Sequence, residues 1–287
     1  MKKEEISKIG IGTWKIDYEN FDKELEALMY SYEKGENYLS LYMLYNNGEI
    51  VKRMKEFVDK IDRNKIFINV NLEPTIEKVE DIEKQLDEYL DILNIDYADS
   101  IQVHDPFVTS IPLLDVYKEI KRLVEKGKVR YIGISNVNLE QLREINDIVK
   151  IDFLEGVYNL ECKIYEDIGV LDYCKDNNIK FICYQPLRRN KTANRNYPLI
   201  VELAKKYNKT QNQIILNWII NEKGIMPLIK STNIERINEN LESVDFRMDK
   251  SDYEALNKFR SIEFDKVKVD WQGTGGVAID QLANQFE

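Results

Sequence analysis

A (β/α)8 barrel in a single domain is the fold class this sequence predicts, and three observations point to it. Short β-branched or aromatic runs recur along the chain, each is followed by a longer stretch of helical periodicity, and the units number about eight. An open, doubly wound sheet would show the same alternation, so the alternation by itself leaves both topologies open. One domain is the economical reading, because the 287 residues contain only 6 Pro and 12 Gly, no low-complexity segment and no linker.

Taken in order, the strand-like runs are "NYLSL" (37–41), "KIFINV" (65–70), "ADSIQV" (98–103), "VRYIGIS" (129–135), "DFLEGV" (152–157), "IKFICY" (179–184) and "GIMPLI" (224–229). An eighth, weaker unit is expected near "ESVDF" (242–246). Between them, "TIEKVEDIEKQLDEYLDIL" (75–93) returns its Ile, Leu and Val at three- and four-residue spacing. "SIPLLDVYKEIKRLVEKGK" (110–128) opens on Ser and Pro and closes near a Gly, as an amphipathic helix should. Residues 262–287 follow no regular pattern and read as a C-terminal tail or loop.

Composition narrows the function. A formal charge of −10 argues against nucleic-acid binding, which needs a basic surface, and against attraction to an anionic membrane. A small-molecule partner is the expectation. No apolar run is long enough to span a bilayer and "MKKEEISKIG" lacks a signal-peptide core, so a cytoplasmic location is expected. Cys162, Cys174 and Cys183, odd in number and without Cys-x-x-Cys spacing, read as reduced, packed thiols, and no metal site is expected.

In a β/α barrel, functional side chains come from the C-terminal ends of the strands and the loops that follow. Those positions are Ser40, Tyr45, Asn71, His104, Ser135, Asn136, Glu155, Tyr184 and Lys230. Read with "GIGTWKID", "YADSIQVHDP", "KGKVRYIGISN", "VYNL", "CYQPL" and "IKSTNIERINENL", they resemble the aldo-keto reductases, NADPH-dependent carbonyl reductases built on this barrel. Six such pieces in one order cover nearly the whole chain.

The resemblance implies hydride transfer from a nicotinamide to a carbonyl, with a tyrosine as proton donor and a histidine orienting the oxygen. Tyr45 and His104 match those roles. The family's aspartate and lysine, which tune the tyrosine, fall at Ser40 and Asn71. Loss of one alone would strand a charge at roughly 3 to 5 kcal/mol, so their joint replacement by neutral groups is physically matched. Such a pair can still hydrogen-bond to itself, and Tyr45 remains a neutral but poorly tuned donor.

The resemblance further implies that Lys230, Ser231 and Arg236 hold the ribose 2′-phosphate of NADPH and that Glu239 and Asn240 face the adenine. A lysine, a hydroxyl and a guanidinium beside a helix start suit a phosphate. Ser135 and Asn136 match carboxamide ligands, and Tyr184 matches the aromatic platform for the nicotinamide. The third carboxamide ligand, a glutamine in the family, is Glu155, which accepts but cannot donate when ionised.

Several residues keep two readings. Tyr42 is packing or pocket lining, and Trp14 and Trp271 wall a substrate pocket or simply pack. Arg188, Arg189, Lys191 and Arg195 form a solvated loop, or one of them reaches a cofactor phosphate. Three functions remain in view: an oxidoreductase with an altered proton relay, an NADPH-binding sensor without turnover, and a non-redox dehydratase, isomerase or cyclase. The oligomeric state is not legible.

Overall fold

Eight parallel strands close into a barrel in chain order. They are β1 (Gly10–Ile11), β2 (Tyr38–Tyr42), β3 (Phe67–Leu72), β4 (Ala98–Val103), β5 (Val129–Ser135), β6 (Phe153–Val157), β7 (Lys180–Tyr184) and β8 (Met226–Ile229). The structure is a computed structural model, and it describes residues 1–104, 110–271 and 277–282. No helix among them is long and apolar enough to cross a membrane.

Seven strands lie where the β-branched runs place them. The eighth does not: "ESVDF" is the end of the helix Ile234–Glu242 and the turn after it, where Ser243 is buried and its hydroxyl donates to the Asn240 carbonyl. Closure comes instead from the two-residue β1, which pairs with β8 through Gly10↔Leu228 and Ile11↔Ile229 and with β2 through Ile11↔Leu39. Two residues carry no alternation to read.

Two further expectations need correction. The helical pattern of 75–93 becomes helix only over Glu80–Leu93, because the chain first turns at Lys78, whose N–H donates to the Asp81 carboxylate. The tail carries short regular elements: a helix at Ile262–Asp265, a parallel pair Val269–Asp270 with Val277–Ala278, and a helix at Ile279–Leu282.

Period-two alternation sorts the barrel interior into two layers. The lower one is apolar and aromatic, with Ile6, Tyr38, Phe67, Phe153, Ile182, Met226 and Leu228 buried together and Tyr38 stacked on Phe67 at 5.3 Å. Further along, β2, β3, β4 and β6 supply Ser40, Asn69, Asn71, Ser100, Gln102 and Glu155, all buried. The three cysteines are free and buried, and burial pushes the thiols of Cys162 and Cys174 up to about 12.

Candidate active site

The polar layer is one hydrogen-bonded network. Asn71 Nδ2 donates to Ser40 Oγ at 3.1 Å and to the Leu41 carbonyl at 2.9 Å, so the two neutral replacements do bond to each other. Asn69 Nδ2 also reaches Ser40 Oγ, at 3.3 Å. Gln102 Nε2 bridges to Asn71 Oδ1 at 2.5 Å and to Glu155 Oε2 at 3.0 Å, and Ser40 Oγ donates to the same Glu155 oxygen at 3.5 Å. A Cβ on Gly133 would stand 2.8 Å from Gln102 Oε1, so glycine there makes room for the bridging amide. Thr13 Oγ1 ties the backbone of Ser40 to the β1 loop at 2.7 Å.

Glu155 is the one ionisable side chain in that layer, and its partners in the network are neutral. Burial pushes its carboxyl up to about 7, against the lowering effect of the hydrogen bonds from Gln102 and Ser40. Its Oε2 is the atom that the network holds.

Tyr45 stands above this layer on a tight turn. Asn46 and Asn47 (both φ 51°) and Gly48 (φ 81°) lie in the left-handed region and reverse the chain into the helix Glu49–Val58. Asn and Gly are the residues that tolerate this geometry. Tyr42 resolves as a spacer: its ring meets Tyr45 at 5.1 Å, edge on, and His104 at 4.6 Å. The three rings form one cluster at the mouth.

Across the mouth, Ser135 ends β5 and Asn136 follows it. The Ser135 hydroxyl is buried without a hydrogen-bond partner among the described residues, so it is an orphaned polar group that a ligand could satisfy. Asn136 adopts φ 56°, its N–H donates to the Glu155 carbonyl at 3.1 Å, and its Oδ1 accepts from Tyr184 OH at 2.9 Å.

Around the rim, Lys230 follows β8 and its Nζ meets Glu24 Oε1 at 2.6 Å and the Lys15 carbonyl at 3.3 Å. Ser231 Oγ accepts from Asn233 N–H at 3.1 Å, and the Asn233 side chain caps the helix Ile234–Glu242 by accepting from Arg236 N–H at 3.0 Å. The Arg236 side chain is exposed and meets no carboxylate among the described residues. Asn240 is buried on that helix, and Glu239 accepts from the Thr210 hydroxyl, beside a cleft lined by Asn190, Ala193, Asn194, Asn196, Gln211 and Asn212.

The basic loop after β7 is not simply solvated. Arg188 is fully buried and its guanidinium pairs with Glu161 Oε2 at 2.7 Å. Glu161 also accepts from Thr192 at 2.6 Å and Tyr197 OH at 2.7 Å, and Arg195 stands 3.3 Å away. Burial pushes the Glu161 carboxyl up, but these donors outweigh it and hold it below the usual range. Arg189 lies over the Trp14 ring at 4.2 Å, linking this loop to the one after β1. Trp14 is thus near the rim, whereas Trp271 packs edge-on against Tyr165 at 5.7 Å.

The family model described as the aldo/keto reductase family matches residues 8–261. This chain belongs to that family. Among curated relatives, aldo-keto reductase family 1 member C18 of Rattus norvegicus is 27% identical, the match covering 88% of this chain and 87% of that one. Among solved structures, the thermostable aldo-keto reductase Tm1743, in complex with the inhibitor epalrestat, has a TM-score of 0.81 at 26% identity, covering 88% of this chain and 95% of that one. The aldo-keto reductase of Klebsiella pneumoniae, in complex with NADPH, has a TM-score of 0.80 at 20% identity, covering 88% of this chain and 90% of that one.

Three residues of this aldo-keto reductase escaped the sequence reading. Gln102 holds Asn71 and Glu155 together, Glu24 engages Lys230, and Glu161 gathers the β7 loop. Period two from His104 could have flagged Gln102 as inward-facing. Nothing local marks Glu24, whose partner lies 206 residues away.

Proposed function

We propose that this chain is a cytoplasmic, NADPH-dependent oxidoreductase that interconverts a carbonyl and an alcohol on a small molecule, with a neutral hydrogen-bond network where its family's ionic pair would stand. The observation that carries the reading is the pairing, at one barrel mouth, of the Tyr45–Tyr42–His104 cluster with the buried, unsatisfied Ser135 hydroxyl. A nicotinamide, when bound, supplies or accepts the hydride at the substrate carbon.

The residues present fit such a group. Ser135 and Asn136 would hold the carboxamide and Tyr184 the ring face. Arg236, Ser231 and the capped helix start would take the 2′-phosphate, with Lys230 shared between that phosphate and Glu24. Tyr45 donates its proton to the developing alkoxide and His104 orients the oxygen. Ser40 and Asn71 position Tyr45 through the strand ends rather than by charge. The Klebsiella pneumoniae protein, of the same fold, holds NADPH in its structure, which supports the cofactor.

Purified protein mixed with NADPH and a panel of aldehydes and ketones should consume the reduced cofactor, and Tyr45→Phe should slow consumption by about 100-fold or more. Bound cofactor with no turnover above background across the panel would refute the enzyme. That outcome would favour the second reading, a cofactor-binding sensor, which Asn71 in place of the lysine supports.

A further inference from the structure

We infer that Glu155 makes the site select a cationic ring, so that the oxidised, positively charged nicotinamide binds more tightly than the neutral reduced one. The inference rests on the dinucleotide reading above and concerns which redox form the site prefers. It starts from an imbalance of charge. Glu155 is a carboxyl 5% exposed, held at Oε2 by Gln102 and Ser40, while Oε1 meets no donor among the described residues.

Among the described residues, no lysine or arginine pairs with Glu155. Two titratable groups that feel its charge are Tyr38 from β2 and Cys183 from β7, both pushed towards their neutral forms chiefly by burial. Strands β3 and β4 bring Asn69, Asn71, Ser100 and Gln102; β5 brings Gly133 and Ser135; β8 brings Met226 and Leu228; and β1 brings glycine. Above stand Tyr42, Tyr45 and His104 at the mouth. Lys180, at the lower end of β7, is itself pushed towards its neutral form by burial.

A buried anion without a partner is costly, and a cation brought beside it lowers that cost. Ser135, whose orphaned hydroxyl marks the ligand position, is registered directly opposite Glu155 on the neighbouring strand. A positively charged ring held there supplies the missing counter-charge, and a neutral one does not. Positive charge that develops at this position as hydride leaves is stabilised in the same way, which partly offsets the weaker acid at Tyr45. The same logic predicts a proton count. Near pH 7, where burial leaves Glu155 partly protonated, binding of the cationic form drives its proton off to buffer, while binding of the neutral form does not.

Calorimetric titration of the full chain with NADP⁺ and with NADPH, in buffers of different ionisation enthalpy, tests this. Because both ligands carry the 2′-phosphate, its own proton cancels in the difference. The expectation is extra proton release with NADP⁺ at neutral pH, and a preference for NADP⁺ over NADPH that falls by about tenfold or more in Glu155→Gln. The wild-type proton difference alone decides the matter if the variant does not fold. Equal proton release for both forms, or a preference unchanged in the variant, overturns the inference while leaving the cofactor assignment standing. Binding of neither form overturns the assignment and the inference together.

Discussion

At the barrel centre, Ser40 and Gln102 donate to a single carboxyl, Glu155, and Asn71 braces both of them; around the rim, Lys230 sits on Glu24 and Arg188 on Glu161. The same chain thus keeps ion pairs around the rim and removes them from the barrel centre. Desolvation explains the contrast. A lone interior carboxyl with two donors is driven towards its protonated form, whereas Glu161, with two cations and two hydroxyls around it, stays ionised even where it is buried. Ion pairing at the rim fixes loops; neutral hydrogen bonding at the centre ties the strand ends together around Glu155, the one titratable group of that network.

That contrast can be broken from either side. The largest effect is expected at the reaction end, where Tyr45→Phe should lower turnover by about 100- to 10,000-fold with NADPH affinity unchanged, as steady-state kinetics and fluorescence titration would report. A loss of affinity instead would make Tyr45 a binding residue.

At the rim, Arg188→Ala removes the buried partner of Glu161, leaving it Arg195 and two hydroxyls, and should cost about 3 kcal/mol in urea unfolding. Three successive residues there, Arg188, Arg189 and Asn190, have positive φ, so the pair also holds a strained turn. Arg189→Ala, which removes the stack on Trp14, should cost about 0.5 to 1 kcal/mol.

The centre should show itself in the pH dependence of stability. Glu155 is raised in the folded state from 4.5 to about 7, so its contribution is fully present below about pH 4.5 and is lost as pH rises towards 7, on the order of 3 kcal/mol. Glu36, also raised to about 7 mainly by burial, slopes the same way, so Glu155→Gln should flatten the wild-type decline without abolishing it. An unchanged profile would mean that the carboxyl is solvated. At the rim helix, Arg236→Leu should weaken NADPH about tenfold and leave NADH unaffected.

The sequence displays its strands well where β-branched runs are long enough to alternate, as in "ADSIQV" and "VRYIGIS", which match β4 and β5 residue for residue. It hides β1, because two residues have no period, and it lends "ESVDF" a strand-like look although Ser243 and Val244 turn the chain there. The bond between Ser40 and Asn71 and the neighbourhood of Tyr45 and His104 are legible in position, because family spacing marks those residues. The environment of Glu155 is not, since its donors come from residues 53 and 115 positions away and only closure of the barrel brings them together. Arg188 shows the same limit: a basic run looks solvated until a buried carboxylate 27 residues upstream claims one of its members.

The central claim is that the reaction centre works without an ionic partner for Tyr45. Single-turnover oxidation of bound NADPH by a reactive aldehyde, compared between the wild type and Ser40→Asp/Asn71→Lys, tests it most directly. With a tuned acid restored, the double variant should react at least about tenfold faster at neutral pH with NADPH affinity unchanged. An equal or slower rate in a folded, cofactor-saturated double variant would contradict the account.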